Sequence, residues 1–279
     1  MENKLSTGAI GVFDSGYGGL TVLEGIRAAL PHYDYIYLGD NARAPYGVRS
    51  FGIVYRFTLE AVQYLFSMGC PLVILGCNTA SAKALRSIQQ NDLPLMSDPS
   101  RRVLGVIRPT VEKLGQISRS GHIGVFGTPG TVASHSYDME ISKLYPDFTA
   151  TGHACPMWVP LVENRESMSD GADYFVKQEI DRLFADDPLI DTVILGCTHY
   201  PLLLDKIRKY LPAGVSLVLQ GEITGASLAD YLRRHPEMEC RITRNASCRY
   251  LTTESASRFS EMASVFLSTQ VDAEHITLG

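Results

Sequence analysis

Two cysteines in this chain occupy positions where a thiol can act as an acid or a base. Cys77 closes the run VILGC at 73–77, and Cys197 closes a second copy of that run at 193–197. Another segment, IGVF, is also doubled, at 10–13 and at 123–126. The order is the same in both halves, and the spacing is similar: from 10 to 73 in one, from 123 to 193 in the other. After the first cysteine come Asn78, Thr79, Ala80 and Ser81; after the second come Thr198, His199, Tyr200 and Pro201. Asn, Thr and Ser begin helices well, and proline suits a first helical turn. Each sulfur is therefore expected at the end of a buried strand and near the positive start of a helix, which lowers a thiol pKa from its ordinary ~8.5. His199, two residues after Cys197, is placed to tune its protonation.

Other strand ends offer further groups. Asp14-Ser15-Gly16-Tyr17-Gly18-Gly19 follows the first IGVF, and its glycines allow backbone amides to approach a ligand closely. It lacks the Gly-Lys-Ser/Thr ending of a phosphate loop, and Asp14 stands where a dinucleotide fingerprint needs glycine. Gly39–Gly47 follows another apolar run and brings Tyr46 and the Gly47 amide. Cys155–Glu163 carries the only tryptophan and ends on a carboxylate. The remaining cysteines, 70, 240 and 248, read as small apolar residues in a chain too long to need disulfide staples.

The elements that must hold these groups are legible as alternating signals. Val- and Ile-rich runs at 9–13, 35–39, 72–76, 103–107, 123–127, 192–196 and 216–220 lack polar alternation, as strands buried on both faces do. Between them lie stretches of helical period, such as Leu20, Leu23, Ile26 and Leu30 before Pro31, and Val54 to Met68 before Gly69. Alternation predicts an α/β fold of two pseudo-symmetric domains, each a mainly parallel sheet flanked by helices, with the active site in the cleft between them. One domain is expected over 1–104 plus 214–279, carrying Asp14 and Cys77; the other over 105–213, carrying Glu163 and Cys197. Phe259, Met262, Ala263 and Phe266 mark a C-terminal helix that packs back on the first domain or forms a partner surface.

With 279 residues, 45% hydrophobic, 20% charged and a net charge of −5, the chain has the composition of a globular protein and no bias toward nucleic acid or an anionic membrane. Its first residues hold no apolar core of a signal peptide, and no run is long enough for a bilayer, so a cytoplasmic location is expected.

These motifs together resemble the cofactor-independent aspartate/glutamate racemase family, and within it the glutamate racemases. The resemblance rests on DSGYGG (14–19), YLGDNARAPYG (37–47), VILGCNTASA (73–82), ACPMWVPLVE (154–163), VILGCTHYPLL (193–203) and YLTTESASRFSEMASVFL (250–267), and so covers nearly the whole chain. It implies interconversion of L- and D-glutamate with no cofactor and no metal, D-glutamate then feeding peptidoglycan synthesis, and a homodimer with a small-molecule substrate. On the matching positions it makes Cys77 and Cys197 the two proton donor/acceptors, with Asp14, Glu163 and His199 assisting. Asp14, Ser15, Tyr46, Gly47, Asn78, Thr79, Thr198 and His199 would bind the substrate. The chain departs from the family's usual residues at Tyr17, Asn41, Arg108 and Gln220-Gly221-Glu222, none of them a matched acid or base. Tyr17 beside the glycine loop bears on how the cleft closes.

Two thiols suit this reaction on chemical grounds. One takes the α-proton on one face while the other returns a proton on the opposite face, and turnover exchanges their states. Donors from Ser15, Asn78, Thr79 and Thr198 in a mostly dry cleft would stabilise the developing carbanion. Three other readings stay open at this level: an aspartate or other amino-acid racemase of the same family, a zinc site on Cys77, Cys197 and His199, and a small-molecule binding protein without catalysis. Zinc sites usually pair ligands at closer spacing, and no C-x-x-C pair supports a redox role.

Overall fold

The computed structural model describes residues 7–267 and 269–279. Among the described residues ten strands form two sheets. The first holds β1 (Ile10–Asp14), β2 (Tyr35–Gly39), β3 (Leu72–Leu75), β4 (Arg102–Gly105), β9 (Cys248–Thr252) and β10 (Ala273–His275), in the order β10-β9-β2-β1-β3-β4. The second holds β5 (His122–Gly127), β6 (Thr149–Ala154), β7 (Thr192–Gly196) and β8 (Ser216–Val218), in the order β6-β5-β7-β8. Every ladder is parallel.

The duplication seen in the residues is a duplication of topology. Four strands run 2-1-3-4 in one sheet and 6-5-7-8 in the other. Even the register repeats: Gly11 pairs with Val73, and Gly124 pairs with Val193. The doubled IGVF is the central strand of each sheet, and the doubled VIL run is its neighbour. Both central strands are buried along their apolar residues, which is why they carry no polar alternation.

Helices cover the sheets. Gly19–Ala29 follows β1, and Phe51–Ser67 ends where Gly69 takes a φ of +91°, a left-handed conformation that glycine adopts without strain. The expected strand at 103–107 is shorter than its apolar run, because Ile107 already begins the helix Ile107–Glu112. The expected return to the first domain after 213 also comes later. Ser216–Val218 pairs with Thr192–Ile194 in the second sheet, and only the next helix, Gln220–Arg234, packs on Gly19–Ala29. Gly25, Gly221 and Gly225 let those two helices touch backbone to backbone: a Cβ on Gly25 would lie 2.2 Å from the Gly221 carbonyl carbon.

The C-terminal helix Ala256–Leu267 buries Phe259, Met262, Ala263 and Phe266, the four positions its period marked. Phe259 lies against Tyr17 and Tyr37 of the first sheet's side. No helix among the described residues is long and apolar enough to cross a membrane.

Candidate active site

The carboxyl ends of both sheets meet around one small cavity of about 140 Å³. The first half supplies Ser15 and Gly16 after β1, Tyr46 and Gly47 after β2, and Cys77 to Thr79 after β3. The second supplies Thr128 after β5, Cys155 and Glu163 after β6, and Cys197 to His199 after β7. Loops beyond strand ends are where open α/β sheets bind ligands, and here two such sheets share the space. A larger cavity of about 700 Å³, lined by Ser81, Leu85 and Arg108 among others, contains neither cysteine. Size alone does not mark the chemistry.

Cys77 caps the short helix Asn78–Lys83. Its sulfur accepts the Ala80 N–H at 3.4 Å and lies 3.4 Å from Ser15 Oγ. The downward pKa shift expected from a helix start does not occur. Burial, with the neighbouring Asp14 carboxyl, pushes the Cys77 thiol up to about 12 despite those two hydrogen bonds. The lost solvation outweighs both hydrogen bonds.

Cys197 has a different surrounding. Its sulfur is 3.9 Å from His199 Nδ1, and His199 Nε2 is 3.1 Å from Glu163 Oε1. Burial opposes charge on the imidazole, but the contacts with Cys197 and Glu163 outweigh it and push His199 up to about 10. A cation thus stands beside the second sulfur. The residues after Cys197 form a 3-10 turn, Tyr200–Leu203, before the helix Leu204–Tyr210, so the helix starts farther from this sulfur than the sequence implied.

The other expected residues fall in three groups. Ser15, Gly47, Asn78, Thr79, Glu163, Thr198 and His199 all line the cavity. Tyr46 lines it too, but its hydroxyl donates to Asp40, which also accepts from Arg43 at 2.7 Å. Asp14, expected to bind substrate, is not among the residues that line the cavity and is fully buried. It accepts the Gly16 N–H at 2.8 Å and the Thr198 hydroxyl at 3.4 Å, and burial raises its pKa although His199 opposes the rise.

Several residues escaped the sequence reading. Thr79 Oγ1 is 3.0 Å from Thr128 Oγ1 and 3.2 Å from Thr131 Oγ1, a hydroxyl cluster that joins the two halves at the cavity edge. The signal was present: Thr128-Pro129 follows the second IGVF as a helix start, and Thr128 has the position that Ser15 occupies in the first half. Phe266 sets its ring edge-on to His199 at 5.6 Å and stacks on Tyr17 at 6.2 Å. Tyr17 therefore ties the glycine loop to the C-terminal helix. Arg108 pairs with Glu112 at 2.9 Å and Glu140 at 2.8 Å and does not line the cavity that holds the cysteines. Among the described residues no group of three His, Cys, Asp or Glu is arranged to hold a metal ion.

A model of the Asp/Glu/Hydantoin racemase family matches residues 15–224. The glutamate racemase of Ruegeria sp. (strain TM1040) is 39% identical over 276 residues, covering 95% of this chain and 99% of that protein. The crystal structure of a Bacillus anthracis glutamate racemase superposes with a TM-score of 0.87 at 36% identity, covering 97% of this chain and 98% of that one. A Francisella tularensis glutamate racemase solved in complex with D-glutamate gives a TM-score of 0.85 at 28% identity, covering 98% of each chain. On the family match and the extent of these likenesses, the chain belongs to the Asp/Glu/Hydantoin racemase family.

Proposed function

We propose that this protein is a glutamate racemase that works with two thiols and no cofactor. The observation that carries the reading is the placement of Cys77 and Cys197. Equivalent strands of two duplicated sheets each end in a thiol, and both thiols wall the same small cavity. A duplicated scaffold naturally supplies one group for each face of a substrate held between its halves.

In the proposed step one cysteine acts as thiolate and takes the proton from Cα. The C–H bond breaks, its electron pair passes onto Cα and the α-carboxylate, and an S–H bond forms. The other cysteine gives its proton to the opposite face of Cα, leaving a thiolate there. Atoms and charge balance, and the resting states of the two sulfurs have exchanged.

The two environments suit unlike starting states. The His199–Glu163 pair stands 3.9 Å from Cys197, where an imidazolium would balance the charge this sulfur carries once it has given up its proton. Cys77, pushed up to about 12, is held as the thiol. Carbanion charge would meet polar groups already in place, Thr79 on one side and Thr198 on the other, while Asn78 holds a substrate carboxylate equally before and during the reaction.

Glutamate is favoured over aspartate because the relatives that match across the full chain carry that name, and one was solved with D-glutamate bound. A homodimer in the cytoplasm, with halves dividing near 104 and again near 218, belongs to the same reading.

The test is racemisation of L- and D-glutamate in D₂O without added cofactor. Deuterium should enter Cα of the product, and Cys77→Ser and Cys197→Ser should each slow turnover by ~10²–10⁴-fold, the usual worth of a positioned acid or base. Near-wild-type rates in both variants would end the two-thiol proposal. Binding of glutamate with no exchange at Cα would favour a binding protein instead.

A further inference from the structure

Behind the first cysteine lies a closed ring of buried hydrogen bonds built on Gln220. Gln220 Nε2 donates to Tyr137 Oη at 2.8 Å, Tyr137 donates to Asn78 Oδ1 at 2.7 Å, and Asn78 Nδ2 donates to Gln220 Oε1 at 2.6 Å. The second N–H of Gln220 donates to Thr110 Oγ1 at 3.1 Å. All four side chains are buried.

The direction of the ring is determined. Thr110 gives its own proton to the Val106 carbonyl at 2.7 Å, so only its lone pairs remain for Gln220. Gln220 must therefore turn its nitrogen toward Thr110 and Tyr137, and its oxygen toward Asn78. Tyr137, already accepting from Gln220, has one proton, and it goes to Asn78 Oδ1. The carboxamide of Asn78 is thus pinned at both atoms, with one N–H uncommitted among the described residues. Asn78 lines the cavity directly after Cys77.

We infer that Gln220 is a positioning residue for substrate: through this ring it makes Asn78 present an N–H, and not a carbonyl oxygen, to a substrate carboxylate. The inference rests on the proposed racemase reading. A flipped Asn78 would face an anionic substrate with an oxygen, so the ring decides the sign of the contact. Its members come from four separate segments: the helices after β3 and β4, the helix Ser136–Leu144 and the helix starting at Gln220. The contact is therefore set only when both halves are assembled.

Gln220→Met keeps the length of the side chain but removes both donors and the acceptor for Asn78, so the Asn78 carboxamide is free to flip. It should raise KM for L- and D-glutamate by about ten-fold, the scale of one lost hydrogen bond to a charged group, and change kcat by less than about three-fold. Tyr137→Phe removes only the donor to Asn78 Oδ1, should show the same split at a smaller size, and serves if Gln220→Met does not fold. In an Asn78→Ala background, Gln220→Met should alter KM by less than about two-fold, because its effect travels through Asn78. An equal loss in both backgrounds would overturn the inference, as would unchanged KM in both single variants or a fall confined to kcat. A wild-type chain that racemises neither isomer removes the racemase reading and this inference with it.

Discussion

Gly18→Ala should disable the site while leaving the fold almost intact. Gly18 has φ −59° and ψ −33°, ordinary right-handed values that alanine adopts freely. The backbone therefore offers no objection, and the loss of glycine entropy in the unfolded chain favours alanine by ~0.4–1 kcal/mol. The objection is steric. A Cβ there would lie 2.3 Å from Thr198 Oγ1 and 2.5 Å from His199 Nδ1. Ordinary contact begins near 3.4 Å, so the residues following Cys197 must retreat by about 1 Å. They cannot do so without a neighbour yielding, because His199 is held by Glu163 at 3.1 Å and by the ring of Phe266.

A misplacement of that size costs ~10²-fold in rate, or ~2.7 kcal/mol of barrier. Overpacking costs ~1–3 kcal/mol of stability, partly offset by the entropy gain, so Tm should fall by only a few degrees. Circular dichroism of glutamate racemisation gives kcat/KM, and a thermal melt gives Tm. Gly52→Ala is the control: nothing lies within 4 Å of its Cβ, and it should leave kcat/KM unchanged. Gly18→Ala retaining kcat/KM within about three-fold of wild type would refute the claim that the close approach of Gly18 sets the position of Thr198 and His199.

Other perturbations probe the same frame. His199 is pushed up to about 10 from 6.5, so its charge contributes stability that is fully present below pH 6.5 and lost as pH rises through about 10. Glu163→Gln removes one of its two partners: Tm should drop at about pH 6, the deficit should close by about pH 10.5, and the alkaline limb of kcat/KM should move to lower pH. A deficit of equal size at both pH values would contradict that assignment. Phe266→Ala empties a buried site against Tyr17 and His199 and should cost ~3–5 kcal/mol, lowering Tm by roughly 6–20 °C and raising KM as the imidazole loosens. A Tm shift under about 3 °C would mean the C-terminal helix does not buttress the site.

Much of the site was legible before any coordinates. The doubled IGVF and VILGC runs announced two related halves, because a strand buried on both faces tolerates only apolar residues and so keeps its pattern through duplication. They also placed Cys77 and Cys197 at strand ends, where peptide geometry leaves side chains beyond the sheet. Edge strands were harder to see. Thr149–Ala154 is partly exposed, and Ala273–His275 is short and mostly exposed, so neither shows a continuous apolar run. Sheet membership was hidden as well: Ser216–Val218 looked like any buried run, and only its pairing with Thr192–Ile194 assigns it to the second sheet.

The tertiary structure alone decided the electrostatics. Local sequence placed Cys77 at a helix start and implied an easily ionised thiol, yet burial by both halves pushes it up to about 12. The path from Gln220 to Asn78 spans 142 positions, and the contact of Phe266 with His199 brings the C-terminal helix onto the loop after β7. Residue types and spacing determine which groups reach the cavity, since those follow from local backbone periods. Their charge and orientation depend on what packs behind them, and that is fixed only when distant segments exclude water together.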